Sequence, residues 1–253
     1  MSLHPTAQDG YTRAAAAYER GRPDYPAAAV GWLAPRLRLA PGRLLADLGA
    51  GTGKLTRQLV PFGARVVAVE PVEEMARQLR QAVAGVEVLV ATAASTGLPS
   101  GAVDAASAGQ SFHWFADRES IREIHRILRP RGRLGLVWNR RDPRSELWRE
   151  ITELIQPYRD DTPDHQSRAW RRQLEESALF GPLESRAFPH EQLVSPEQLV
   201  DRVLSNSYLA VLAGPVQTEI RQRVLELAAR SQLQEGHPLT LPYRAEVYAC
   251  SAC

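Results

Sequence analysis

The residue types best suited to chemistry fall in two short stretches. In LLADLGAGTGKLTRQL, from Leu44 to Leu59, Asp47 precedes three glycines, Gly49, Gly51 and Gly53, spaced GxGxG. Glycines allow positive φ and let a ligand approach the backbone, while the first amides of a following helix are unpaired donors. In ARVVAVE the carboxylate of Glu70 ends an apolar run, nineteen positions after Gly51. An acid at that spacing in a two-strand nucleoside site accepts hydrogen bonds from ribose hydroxyls. The two stretches together describe a nucleoside pocket. A dinucleotide fingerprint has the spacing GxGxxG, and here the third glycine comes one residue early. A phosphate loop needs GxxxxGK followed by a hydroxyl residue, whereas Gly49 to Lys54 gives GxxxGK followed by Leu55, so ATP is disfavoured.

A third candidate is His113 in QSFHWF. Its pKa range suits a general base, and as an alternative it is a structural histidine of a tight turn. The other histidines, among them His125, His165, His190 and His237, are dispersed without metal-ligand spacing, and no metal is expected.

DLGAGTGKLTRQL and VVAVEPVEEMARQL resemble the first two motifs of the class I S-adenosylmethionine (SAM) dependent methyltransferases. The resemblance implies that Asp47, Gly49, Ala50, Gly51 and Gly53 lie beside the methionyl part of SAM, that Glu70 and Pro71 meet the ribose end, and that Met75 lies near the adenine. Tyr18 and Arg22-Pro23-Asp24-Tyr25-Pro26 resemble a segment that lies over the cofactor in many small-molecule members. There Tyr18 covers the site and Arg22 faces the SAM carboxylate, unless Arg22 is only a surface arginine in a turn. Thr92, Ala93 and the run Gln110 to Phe115 resemble the branch similar to trans-aconitate methyltransferase, which implies that Thr92, Ala93 and Gln110 also contact the cofactor. That pattern commonly carries Glu where this chain has Ala94, so the adenine loop must be held in another way.

The resemblance implies transfer of a methyl group to a small organic acceptor, with oxygen or nitrogen favoured and carbon and sulfur left open, and S-adenosylhomocysteine (SAH) as product. His113, Trp114, Trp138, Asn139 and Tyr208 are the candidate acceptor contacts. Trp138 is equally a core residue and Asn139 equally a loop cap. The alternatives are a nicotinamide-dependent oxidoreductase and a non-catalytic SAM-binding regulatory protein.

These residues need a scaffold. Short apolar runs alternate with helical spacing through LLADL, ARVVAVE, Val86 to Val90, VDAASAG and RLGLVW, which predicts parallel strands joined by helices. Helices are expected over Thr12 to Glu19, 27–39, 54–60, 72–83 and Glu119 to Leu128, the last ended by Pro130-Arg131-Gly132. The expected fold is a Rossmann-like doubly wound seven-stranded α/β sheet, mostly parallel with an antiparallel last strand, plus a helical cover. Residues 1–140 would form the SAM-binding core with its amino-terminal helical segment, 141–182 and 195–235 the cover, and 183–194 and 239–250 the last strands. All belong to a single methyltransferase domain.

At 253 residues and 28.0 kDa the chain suffices for one such domain. The formal charge of +2 is too small to suggest a nucleic-acid or membrane surface, and a small-molecule partner and a monomer or homodimer are expected. Lys54 is the only lysine among many arginines. Cys250 and Cys253, as CSAC, are expected to be reduced thiols at a fraying end. MSLHPTAQDGYTRA lacks a hydrophobic signal core and no apolar run is long enough to span a bilayer, so a cytoplasmic location is expected.

Overall fold

The computed structural model describes residues 5–159, 167–231 and 237–253. The first half alternates helix and strand: α1 (Pro5–Gly21), α2 (Ala27–Arg36), β1 (Leu44–Leu48), α3 (Lys54–Leu59), β2 (Arg65–Val69), α4 (Glu73–Ala82), β3 (Glu87–Leu89), β4 (Val103–Gly109), α5 (Arg118–Ile127) and β5 (Leu128–Arg141). The second half adds α6 (Glu146–Ile155), α7 (Ala169–Glu176), β6 (Glu184–Val194), α8 (Pro196–Leu204), α9 (Ser207–Ala210), α10 (Gly214–Ser231) and β7 (Leu239–Ser251).

The strands form one seven-stranded sheet in the order β3-β2-β1-β4-β5-β7-β6. β1 to β5 pair in parallel, and β7 runs antiparallel to both β5 and β6. Alternation along the strands sends side chains to two helical layers. On one face Leu33, Leu37, Leu45, Leu59 and Val137 pack under α2 and α3, and on the other Phe112, Ile121, Ile124, Leu134 and Leu136 pack under α5. A separate apolar cluster joins α6, α8, α9 and α10 to the ends of β6 and β7, through Trp148, Ile151, Val203, Val224 and Tyr243. This is the cover, and its α8 starts as the Ser195-Pro196 signal dictates, with Ser195 and Gln198 forming a reciprocal capping box.

Four features differ from expectation. α1 is two turns longer at its start. The Pro130-Arg131-Gly132 stretch does not separate helix from strand, because β5 begins at Leu128 and bulges, its register with β4 jumping from Val103↔Leu128 to Ala105↔Arg133. Pro130 has no amide to give the ladder and Arg131 sits at φ +61°, which suits an extruded segment. α7 leaves the cover for the main core, where Trp170 stacks on Trp138 with ring centres 4.6 Å apart. Cys250 lies buried inside β7 rather than in a frayed end, while Cys253 is exposed and both are free thiols.

Candidate active site

β1 ends at Leu48 and the chain turns through Gly49, Gly51 and Gly53 at φ values of +59°, +60° and +87°. Side chains with a Cβ are strained in that left-handed region, which explains the residue type at all three positions. The Oε2 of Glu70 accepts the Gly51 amide at 2.8 Å and Oε1 accepts the Val72 amide at 2.9 Å, so the carboxylate ties the end of β2 to the turn after β1. Glu70 is 5% exposed, and burial pushes its pKa up to about 7 against the pull of the two amides. Asp47 is fully buried, accepts the hydroxyls of Thr56 at 2.6 Å and Ser107 at 2.7 Å, and is pushed up to about 6 by burial.

Asp47, Gly49, Ala50 and Gly51 line a narrow slot of about 20 Å³ roofed by Tyr18 and Tyr25. A carboxylate offers about four lone-pair sites, so Glu70 retains capacity for ribose hydroxyls while holding the two amides. The chemistry of Glu70 therefore suits ribose hydroxyls, while the slot as it stands has room for about one water and must widen to admit a nucleoside. Pro71 shapes the bend before α4. Met75 is buried against Ala15 and Val72 beneath α1, with its Sδ 3.7 Å from where a Cβ on Gly51 would stand.

Thr92 and Ala93 lie in the loop after β3, which the Thr92↔Ser95 bridge folds back on itself. The support missing at Ala94 is supplied from α5. Glu123 accepts both the amide and the hydroxyl of Thr96, at 3.0 and 2.6 Å, and pairs with Arg126, which donates to the Leu98 carbonyl at 2.7 Å.

α1 closes the slot. Glu19 accepts the Thr52 hydroxyl at 2.5 Å and pairs with Lys54 and Arg57, while Asp24 pairs with the same two cations. Arg22 lies over the Tyr18 ring at 4.9 Å and donates to the Ser205 hydroxyl, the Ser205 carbonyl and the Asn206 side chain. It is thus a residue of the wall between slot and cover, not an isolated surface arginine.

Beyond Tyr18 opens a cavity of about 480 Å³. Gln110, His113, Trp114, Asn139 and Tyr208 all line it, as do Arg22 and Tyr18. Gln110, at φ +59°, clamps β4 to β5: its Oε1 accepts the Asn139 amide at 2.9 Å. Asn139 is 4% exposed, donates to the Asp24 carbonyl at 3.1 Å and meets His190 Nε2 at 2.9 Å through its own Oδ1. His190 in turn stacks on Tyr243, ring centres 5.5 Å apart.

Two expectations need correction. Trp138 does not line the cavity: it is 1% exposed and packed in the sheet core, and its Nε1 donates to His113 Nδ1 at 3.2 Å. An indole N–H can only donate, so Nδ1 must accept and the neutral His113 ring carries its proton on Nε2. The ring cannot serve as a general base while that bond stands.

Arg141, Trp148 and Arg202 also line the cavity and escaped the sequence reading. The Arg140-Arg141 pair just past Asn139, at the carboxyl end of β5, was a usable signal for the first, since ligands of open α/β sheets bind there. Arg202 sits in an ordinary amphipathic helix and carries no local signal. Among the described residues no group of three or more potential metal ligands is found, and no helix is long and apolar enough to cross a membrane.

A mostly parallel sheet in this strand order, with a glycine turn after β1, an acid ending β2 and a cavity over the ends of β4 and β5, defines the class I methyltransferase architecture. Residues 46–136 match the methyltransferase domain family. A relative from Mycobacterium tuberculosis (strain ATCC 25618 / H37Rv), named only as an uncharacterised methyltransferase, is 41% identical over 231 residues, covering 91% of this chain and 90% of the relative. The chain belongs to this methyltransferase family and is an enzyme of it. A trans-aconitate 2-methyltransferase from Azoarcus sp. (strain BH72) is 28% identical over 216 residues, covering 83% of this chain and 79% of that protein. A solved structure from Anaeromyxobacter dehalogenans, provisionally named a type II methyltransferase, superposes with a TM-score of 0.67 at 26% identity, covering 90% of this chain and 97% of the other. The nicotinamide alternative falls with this assignment.

Proposed function

We propose that the enzyme transfers the methyl group of SAM to an oxygen or nitrogen of a small organic molecule and releases SAH. The observation that carries this reading is the juxtaposition, across Tyr18, of the slot at the glycine turn and the larger cavity at the ends of β4 and β5. When bound, SAM supplies a methyl group activated by a sulfonium with a good leaving group. The protein's task is then to hold an acceptor in line and close by, and to exclude water.

In this reading Glu70 accepts the ribose hydroxyls, while Asp47, Gly49, Ala50, Gly51 and Gly53 cradle the methionyl part. Pro71, Met75, Thr92 and Ala93 border the adenine end, and Tyr18 separates cofactor from acceptor. Gln110, Asn139, Trp114 and Tyr208 shape the acceptor site, with His113 beside them on the same wall. The relative named trans-aconitate 2-methyltransferase supports a small-molecule acceptor.

Titration calorimetry with SAM and SAH tests the reading. Both should bind, and Glu70→Ala should weaken both by about 1 to 3 kcal/mol through lost charge-assisted hydrogen bonds. A folded protein that binds neither would overturn it.

A further inference from the structure

Three arginines on the wall of the large cavity have no acidic partner among the described residues. Arg202, from α8, is 4% exposed. Its Nε donates to the Tyr243 hydroxyl at 3.1 Å, and its Nη1 is buried without any hydrogen-bond partner. Arg141, at the end of β5, lies over the Trp148 ring at 4.5 Å and donates to the Thr152 hydroxyl at 3.3 Å. Arg22 is held by Ser205 and Asn206. Every one of these partners is neutral.

The other charges on the wall are differently placed. Arg140 pairs with Glu246, Arg149 with Glu146 and Asp142 with Arg144, Glu153 is exposed, and Arg159 lies on the wall at the end of the turn after α6. Burial and then the positive charge of Arg202 pull the Arg141 pKa down to about 9, and burial and then Arg22 lower that of Arg202. Gathering one buried and two partly buried guanidinium groups without counter-charge is unfavourable, and a buried donor with no acceptor adds to the cost. An anionic ligand would offset both.

We propose that the acceptor carries an oxyanion group, of carboxylate or phosphate type, held by Arg141 and Arg202 with Arg22 completing the cationic wall. This rests on the methyltransferase reading for the word acceptor. Guanidinium is suited to the task because its planar fork matches two oxygens of one anion and sheds water more readily than an ammonium. Trp148 and Tyr243, whose rings lie 5.7 and 6.0 Å from the Arg202 guanidinium, hold that fork in place.

The test is calorimetry on the SAH-loaded enzyme with glutarate, citrate and pyrophosphate, and with glutaramide as the uncharged counterpart of glutarate. At least one anion should bind at millimolar concentration or below, and glutaramide should not. The better class, carboxylate or pyrophosphate, identifies the group. Arg141→Gln and Arg202→Gln should each weaken the anion by about 10- to 100-fold, as loss of a charged hydrogen bond does, while SAH affinity stays within a few-fold. Arg141→Lys, which keeps the charge and loses the fork, should fall between. Because Arg202→Gln also removes the Tyr243 contact, the partly exposed Arg141 variants carry the result if it fails to fold.

The proposal is overturned if glutaramide binds as well as glutarate, or if no anion binds an enzyme that binds SAH. It is overturned equally if the variants lose SAH affinity as much as anion affinity, which would make the cluster a site for the cofactor's own carboxylate. Repeating the anion titrations without SAH keeps the two readings apart: failure of SAH binding sinks the methyltransferase reading, and the anion result stands by itself.

Discussion

The indole of Trp138 donates to Nδ1 of His113 across 3.2 Å, joining a residue of the sheet core to one on the cavity wall. With Nδ1 accepting, the neutral ring carries its proton on Nε2, which favours the structural histidine over the base, the two readings that the sequence left open. His113→Gln, which can still donate, should keep turnover within about tenfold, and the pH–rate profile should show no limb from an imidazole ionisation. A loss of about 10²- to 10⁴-fold together with disappearance of a limb near pH 6 to 7 would restore the base.

Glu70 gives a pH dependence of less familiar sign. Its carboxyl is raised from 4.5 to about 7 in the folded protein, so between those values the folded state holds a proton that the unfolded chain has lost. Stability without cofactor should therefore fall as pH rises from about 4.5 to 7, by about 3 kcal/mol for this group. Asp47, raised from 3.8 to about 6, adds a loss of the same sign at lower pH. Chemical denaturation of Glu70→Gln should show a flatter profile than wild type. An identical profile would count against the raised ionisation.

Ribose hydroxyls donating to Glu70 would favour its charged form, so binding of SAM should expel a proton near neutral pH. Calorimetry at pH 6.5 in two buffers of different ionisation enthalpy should give different apparent enthalpies, and Glu70→Gln should make them converge. Equal enthalpies for the wild type would remove the ribose role.

At Gly51 the obstacle to a side chain is conformational, since an added Cβ meets only Met75 Sδ at 3.7 Å. Gly51→Ala should cost about 1 to 2 kcal/mol of stability from the left-handed backbone at φ +60° and weaken SAM binding. Gly51→Val should abolish binding with the fold retained by circular dichroism. Normal affinity in a folded Gly51→Val would displace the cofactor from this turn.

Glu123 replaces, from another helix, the support that Ala94 does not give. Arg126 and the Thr96 hydrogen bonds hold its carboxyl down to about 2, so its stabilising contribution is complete above the ordinary carboxylate range and fades as pH falls toward 2. Glu123→Ala should lower stability by about 1 to 3 kcal/mol near neutral pH and weaken adenosine-containing ligands. Unchanged SAH affinity would show that this loop does not border the adenine.

What was legible in the sequence was what is local. Asp47, the glycine turn and Glu70 announce themselves because strand, turn and acid are set by neighbours within one βαβ unit, and Gln110, His113 and Asn139 follow from the ends of the next strands. The anion wall was hidden because Arg22, Arg141 and Arg202 come from three distant segments and meet only after the cover has folded onto β5 and β7. Trp138 shows the converse limit. Its position at a strand end suited a pocket, yet side-chain alternation along β5 sends it into the face packed by α7, whose core role no spacing revealed.

The seating of α1 bears on how acceptor preference can be exchanged between relatives. A Cβ at Gly10 would collide with the Ser207 carbonyl oxygen, and one at Gly21 with the Arg202 amide nitrogen. The helix and the cover thus touch backbone to backbone, while Glu19 and Asp24 fasten the same segment to α3. A chimera that transplants α8 and α9 alone would set foreign backbone against these two glycines. The transplantable unit is discontinuous: residues 5–26 have to travel with α8 and α9, although some 170 residues of chain lie between them.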